Sequence, residues 1–388
     1  MNDAPENLFD PALYAPTRRP PLEARPLPAW CYTSEAFFRA ERERLFRHGW
    51  LFVGREDQVT APGDYITRQP AGVPIVVLRD RGGAVRALAN SCRHRGSLLL
   101  EGDGNCRAIK CPYHGWVYGL DGTLQGAPDM DESEGFRKED HGLAPLRLEA
   151  RAGFMFVNLD PGAPSLAEWL GDLPLRFAPY RLEDMVTTRR REYEVACNWK
   201  PVLEAFSEDY HLKSVHGDTI GLNYKHPRPA DLCDGEALTL FAPHEGTGAI
   251  IPRPGQKTLP MIPTLTGELT AGTLYGFVFP AFMFAATIDC MWAFEFYPLG
   301  PARTRFAMNF CFPRATAAAP DFEEIVAAYY ERWHIAILED NRTTERQQKG
   351  LASPLARPGR YSWLETGVAH FNRWIAERMA DDTRVAAD

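Results

Sequence analysis

The chain has 388 residues, of which 45% are hydrophobic and 24% charged, and its formal net charge is -8. That length supports two domains with substantial cores, while the acidic balance and scattered Lys and Arg argue against nucleic acid as a partner. No apolar run approaches a membrane span and the N-terminal stretch lacks a signal-like apolar core, so a cytoplasmic protein without membrane association is expected.

In chain order, residues 11–30 are rich in Pro and Arg without sustained periodicity, and an irregular arm over a domain surface is expected there. The stretch SEAFFRAERERLFRH within residues 33–48 has helical spacing, with Phe37, Phe38, Leu45 and Phe46 on related faces. Short β-type runs follow: GDYIT, VPIVVLR, AVRALAN and FMFVNL, punctuated by Gly and Pro. A second region begins near Leu166. Its runs LYGFVFP, FMFAATI, MWAFEFYPL and TRFAMNFCF predict an antiparallel sheet with one face against a core.

Two helices close the chain. The first spans roughly Asp321 to Lys349; the second begins at Ser362, where Ser362 and Glu365 fit a capping box, and carries Val368, Phe371 and Ile375 on one face. The C-terminal ADDTRVAAD reads as frayed. The expected fold is α+β, in three parts: an N-terminal arm and helix over 1–47 packing on the last part, an all-β domain over 48–160, and an α+β domain over 161–380.

Eight cysteines without regular spacing do not make a disulfide scaffold. Cys31, Cys197, Cys233, Cys290 and Cys311 are assigned to burial. The stretches CRHRG and CPYHGW are different, because each offers one Cys and one His: Cys92 with His94, and Cys111 with His114. A Rieske [2Fe-2S] centre takes two thiolates on one iron and two imidazoles on the other. Paired loops of this composition suit it; a Cys2His2 zinc site normally places the cysteine pair before the histidine pair. Gly96, Pro112 and Gly115 support tight loops around the sulfurs, and Cys106 lies outside both.

Residues 207–216 read SEDYHLKSVH. A helix over 199–211 places Glu204, Glu208 and His211 on one stripe with Asp209 pointing away. His216, five residues beyond His211, then requires a helix end near Lys213 or a one-residue π-type insertion. The competing reading is a solvated helix face with two unrelated histidines. In the long helix, Ile325, Ala328, Tyr329, Trp333, Ala336 and Ile337 form an apolar stripe that Asp340 continues. A carboxylate there needs either a metal or a buried arginine. Two histidines and one carboxylate form the facial triad of non-heme Fe(II) oxygenases, which leaves positions open for O2.

These motifs resemble those of the Rieske non-heme iron oxygenases: CRHRG and CPYHGW the cluster loops, NWKPVLEAFSEDYHLKSVH and LEDNRTTERQQKGL the mononuclear-iron segments. The likeness spans nearly the whole chain. It implies a terminal oxygenase alpha subunit of the aromatic ring-hydroxylating or quaternary-amine type, with a helix-grip catalytic domain, and His211, His216 and Asp340 as iron ligands. It also implies that Glu208 is the acid through which the cluster of one subunit, by way of His114, passes electrons to His211 of its neighbour in a homotrimer. Two residues depart from the common pattern: Glu208, where many ring dioxygenases carry Asp, and Ala205, where Asn is frequent. The stretch EDYH is similar to the branch that oxidises carnitine and betaines.

No GxGxxG fingerprint is present in a strand-turn-helix setting, so NAD(P)H is expected to act only through a separate reductase, with or without a ferredoxin between them. The expected reaction is O2-dependent hydroxylation, or hydroxylation-driven demethylation, of a small aromatic or methylated-amine substrate. Tyr275, Phe277, Phe284 and Trp292, with Phe279, Phe282 and Phe294, are candidate pocket aromatics, although aromatics at period two equally suit a plain core. The alternative is a Rieske electron carrier without oxygenase activity, which would need the cluster loops alone.

Overall fold

The computed structural model describes residues 4–217, 219–221, 225 and 228–380, so the expected frayed tail lies outside the described residues beyond Ala380. The chain forms two compact units: Trp50–Leu166, and a second built from the residues up to Gly49 together with those from Ala167 onward.

The first unit is all β. Strands β1 (Leu51–Arg55), β2 (Asp64–Arg68), β3 (Ile75–Arg79), β4 (Val85–Ala89), β5 (Asp103–Asn105), β9 (Pro145–Arg151) and β10 (Phe154–Asn158) form one sheet in the order β1-β10-β9-β4-β3-β2-β5. The short strands β6 (Ile109–Lys110), β7 (Val117–Tyr118) and β8 (Leu124–Gly126) form a second. Between them Val76, Leu78, Leu88, Ile109, Trp116 and Tyr118 pack into one core that also takes in Cys92 and Cys111. Burial fits the sequence here because β3 is a continuous apolar run covered on both faces.

The second unit is built on a seven-stranded antiparallel sheet. Its strands are β11 (Met185–Val195), β12 (Asp231–Leu232), β13 (Ala237–Pro243), β14 (Gly272–Val278), β15 (Phe282–Ala286), β16 (Met291–Gly300) and β17 (Arg303–Pro313), in the order β11-β17-β16-β15-β14-β13-β12. Consecutive strands from β12 to β17 pair as neighbours, through short connections everywhere except between β13 and β14, where the chain runs over residues 244–271.

Helices α1 (Glu35–Glu41), α2 (Trp199–Ala205), α3 (Leu212–Val215), α4 (Phe322–Leu351) and α5 (Thr366–Met379) belong to the same unit. The apolar stripe of α4 turns inward, with Trp333 3.9 Å from Trp292 of β16 and Phe312 of β17 edge-on to Phe322 and Tyr329. The capping box is present: Ser362 and Glu365 close a 3-10 turn (Trp363–Glu365) that leads into α5. Val368, Phe371 and Ile375 are buried.

Three local expectations change. The arm is not wholly irregular: Pro11–Tyr14 and Trp30–Thr33 each form a helical turn, and Tyr14, Leu27 and Trp30 are buried. After α1 the chain continues as a π-helical turn over Arg42–Phe46. Cys233 is only half-buried, whereas Cys31, Cys197, Cys290 and Cys311 are buried.

Candidate active site: two Cys-His loops and a buried His-His-Asp cluster

In the first unit the two Cys-His loops are built alike. The Gly96 N–H donates to the Cys92 carbonyl at 2.9 Å and the Cys92 N–H to Ser97 at 2.8 Å; Gly115 and Cys111 repeat this, with Cys111 donating to Trp116 at 2.7 Å. Each loop turns at a glycine with positive φ, +76° at Gly96 and +72° at Gly115, a conformation that side chains other than glycine's strain to adopt. The loops bring His94 and His114 to a ring separation of 4.6 Å, and the His94 ring stacks on Trp116 at 4.9 Å.

The donor set fits a Rieske cluster. Cys92 and Cys111 are free and buried, and the buried Nδ1 of His94 has no hydrogen-bond partner, as a metal-ligating nitrogen requires. Burial pushes the Cys111 thiol up, but the Tyr113 and His114 backbone N–H groups, with Cys92 and Ser97, more than offset it and lower its pKa. The Tyr118 hydroxyl lies 3.3 Å from the Cys92 sulfur and accepts from the Arg93 N–H at 3.0 Å, tying β7 to the first loop.

In the second unit α2 is started by Asn198, whose side chain accepts from the Lys200 N–H. It ends at Ala205, not near Lys213, so Glu208 and His211 do not continue its stripe. After a turn, His211 caps the start of α3 and His216 its end. The five-residue spacing is thus met by one bracketed helical turn rather than by a π insertion, and the two rings stand 5.2 Å apart.

Asp340 arrives from α4. Its Oδ1 lies 2.9 Å from His216 Nε2 and 3.5 Å from His211 Nε2. One ligand atom from each of the three residues lies within 4.8 Å of the others. The partner of Asp340 is therefore the histidine pair, not an arginine.

Two further carboxylates orient the imidazoles. His211 Nδ1 donates to Glu208 at 2.6 Å, and His216 Nδ1 donates to Glu339 at 2.7 Å, where Thr219 also donates at 2.9 Å. With both Nδ1 atoms held, both Nε2 atoms face the Asp340 oxygen, the arrangement usual around histidine-bound metals. As the side chains stand, burial lowers the His211 pKa, but bonds to Asp340 and Glu208 outweigh it and raise it to about 10. Carboxylates this dense call for positive charge at the centre, which Fe(II) supplies. Glu339 was not singled out in the sequence; its only signal there is the acid pair in LEDN.

Two cavities meet this cluster. One, of about 270 Å³, is bordered by Glu204, Glu208, His211 and Asp340, by Pro26 and Leu27 of the arm, and by Tyr361 near α5. The other is tight, about 30 Å³, and is walled by Phe206, Asp209, Leu212, Tyr275, Arg332 and Trp333 around the three candidate ligands. Ala205 touches both cavities.

Asp209 therefore faces the cluster instead of pointing away, and burial lifts its carboxyl to about 7. Of the candidate aromatics only Tyr275 lines the tight cavity. Phe277 is buried core, Phe284 packs on Phe177 at 4.5 Å, and Trp292 sits behind Trp333. Phe279 packs on Trp374, Phe282 stacks on Phe284, and Phe294 supports Phe206 from behind at 4.9 Å.

Residues 49–144 match the Rieske [2Fe-2S] domain, and residues 182–381 match the ring hydroxylating alpha subunit (catalytic domain). The chain belongs to the Rieske ring-hydroxylating oxygenase alpha subunits. It is a terminal oxygenase, carrying a Rieske cluster and a mononuclear iron that uses O2, and the electron-carrier alternative falls with the catalytic-domain match.

Among its relatives, the chain is 29% identical to the chloroplastic choline monooxygenase of Beta vulgaris over 96% of its own length and 79% of that protein. It is 28% identical to the glycine betaine monooxygenase oxygenase subunit of Chromohalobacter salexigens, over 91% and 85%. It also matches the structure of a quaternary ammonium Rieske monooxygenase described for carnitine oxidation and inter-subunit electron transfer, at 26% identity and a TM-score of 0.81 over 96% and 98%. Among the described residues no helix is long and apolar enough to cross a membrane.

Proposed function

We propose that this oxygenase hydroxylates a quaternary amine at a carbon next to nitrogen. The observation that carries the reading is the Glu208–His211 contact, a glutamate on the Nδ1 of a candidate iron ligand, in a chain whose full-length relatives act on choline and glycine betaine. Cys92, Cys111, His94 and His114 hold the cluster; His211, His216 and Asp340 hold the iron. When bound, the two groups supply single electrons and O2 activation.

The protein's own residues do the rest. Glu208 and Glu339 fix the tautomer and tilt of the two histidines through their Nδ1 protons. Phe206, Trp333 and Tyr275 exclude bulk water from the tight cavity and orient the substrate. Electrons come from a separate reductase. The Glu208 side chain keeps 12% exposure and borders the larger cavity, which suits an acid that also meets His114 of a neighbouring subunit in a cyclic trimer.

Overall, one C–H bond and O2, with two electrons and two protons, become C–OH and water. A hydroxyl on a carbon bonded to quaternary nitrogen then collapses to a carbonyl compound and a tertiary amine. The test is 18O2 labelling: iron-loaded protein with a reductase and NADH is given choline, glycine betaine, L-carnitine, benzoate or anisole. Tertiary amine release, with 18O in the carbonyl product trapped as it forms, is expected from a quaternary amine. Product from the aromatic compounds alone would overturn the reading.

A further inference from the structure

Among the described residues lining the tight cavity beside His211, His216 and Asp340, one is a Lys or Arg: Arg332 of α4. It is 1% exposed, an unusual place for a guanidinium. Arg332, Ala336 and Asp340 fall at four-residue intervals on one face of α4, so Arg332 lies two turns, about 12 Å along the axis, from the candidate iron ligand. The small Ala336, one turn on from Arg332 on the same face, also lines the cavity. The wall is therefore bipolar: the guanidinium at one end, the carboxylates of Glu208, Asp209 and Asp340 at the other.

The Arg332 guanidinium carbon sits 3.7 Å from the Trp333 ring centroid. The guanidinium thereby occupies one face of Trp333, and its charge repels a trimethylammonium head from that face. His244, whose imidazole is influenced by Arg332, adds no positive charge at neutral pH: burial, with a contribution from Arg332, lowers its pKa to about 4. A planar guanidinium fork held by stacking is suited to a carboxylate, which it binds by two parallel hydrogen bonds.

We propose that Arg332 anchors a substrate carboxylate, so that the substrate is a zwitterion lying over Ala336, with its carboxylate on Arg332 and its ammonium toward the acidic end beside the iron. This rests on the quaternary-amine reading and narrows it: betaines and carnitines fit, and choline, which has no carboxylate, does not. At about 30 Å³ the cavity holds one methyl-sized group, so such a substrate binds with movement of its side-chain walls.

The test measures ligand binding to the reduced, anaerobic holoprotein by calorimetry, and KM and kcat with a reductase, for glycine betaine, L-carnitine, choline and benzoate. Wild-type protein is expected to bind the betaines at least about 30-fold more tightly than choline. Arg332→Gln should raise Kd and KM for them by about 100-fold, leave kcat within a few-fold, and bring betaines and choline to within about threefold of each other. Arg332→Lys keeps the charge but loses the fork, and should weaken the carboxylate ligands about tenfold and choline not at all; it carries the test if the glutamine variant does not fold.

Choline binding as tightly as the betaines in wild type, or equal weakening of both in a variant with its normal cluster spectrum and iron content, would overturn the assignment. So would benzoate binding more tightly than the betaines. Failure of the quaternary-amine reading looks different: the wild-type protein would then oxidise none of the quaternary amines.

Discussion

At the scale of single residues, the site is two histidines whose outer nitrogens are both engaged by glutamates and whose inner nitrogens converge on one aspartate oxygen. Asp340→Ala should abolish turnover and lower mononuclear iron content while leaving the Rieske absorption and EPR spectra unchanged; loss of both metals would make Asp340 structural. Glu339→Gln keeps the shape but removes the charge opposite His216 Nδ1, and iron affinity should fall about 10- to 100-fold in a metal titration. The two Cys-His loops were readable in the sequence because each pair closes on its own loop within five residues. Glu339 and Arg332 were not, since they act on groups that only folding brings near: Glu339 meets His216 from 123 positions away.

At the scale of elements, a buried ion pair joins α1 to α2, the helix that leads into the site. Lys200 of α2 and Glu41 of α1 meet at 2.5 Å with both side chains fully buried, and the Trp199 indole N–H donates to the same carboxylate at 3.2 Å. Removing one partner leaves a buried charge alone, so Glu41→Ala should cost about 3–5 kcal/mol in a denaturant titration. A joint change to Glu41→Leu and Lys200→Met should cost much less. If the double change is as harmful as the single one, the pair is not what joins α1 to α2.

Periodicity gave the strands and the long helices because their inward faces are regular. It misplaced the end of α2: Glu208 keeps helical spacing in the sequence, but its carboxylate accepts from the His211 N–H at 3.1 Å, a local bond that takes the place of a helix. Of the four candidate pocket aromatics Tyr275 lines the tight cavity and the other three do not, for a related reason. Alternation identifies a buried face, but Phe277 and Phe284 do not line the tight cavity, whose walls come from α4, the turn before α3 and Tyr275 of β14.

For the whole molecule, two buried groups tie stability to pH in opposite directions. Burial, with a push from Arg332, lowers the His244 pKa to about 4, while the unfolded histidine titrates near about 6.5. The unfolded chain then binds the proton that the fold refuses, so this contribution is present above about pH 6.5 and is lost as pH falls toward 4. Burial raises Glu204 to about 7, so the fold holds a proton that the unfolded chain releases, and stability falls as pH rises from about 4.5 to 7. In melting curves against pH, His244→Gln should flatten the acid-side loss and Glu204→Gln the neutral-side loss. No change in either profile would contradict the assigned protonation states.

The central claim is that electrons stored at the cluster are spent at the His211–His216–Asp340 centre on a bound substrate. A single-turnover experiment tests it directly: the iron-loaded protein is reduced without air, mixed with glycine betaine and O2, and followed by cluster absorbance and product. The account predicts cluster reoxidation together with product, at a rate that Glu208→Gln slows by 100-fold or more and that Asp340→Ala abolishes. Equally fast reoxidation in Asp340→Ala, with no product from any of the three proteins, would contradict it.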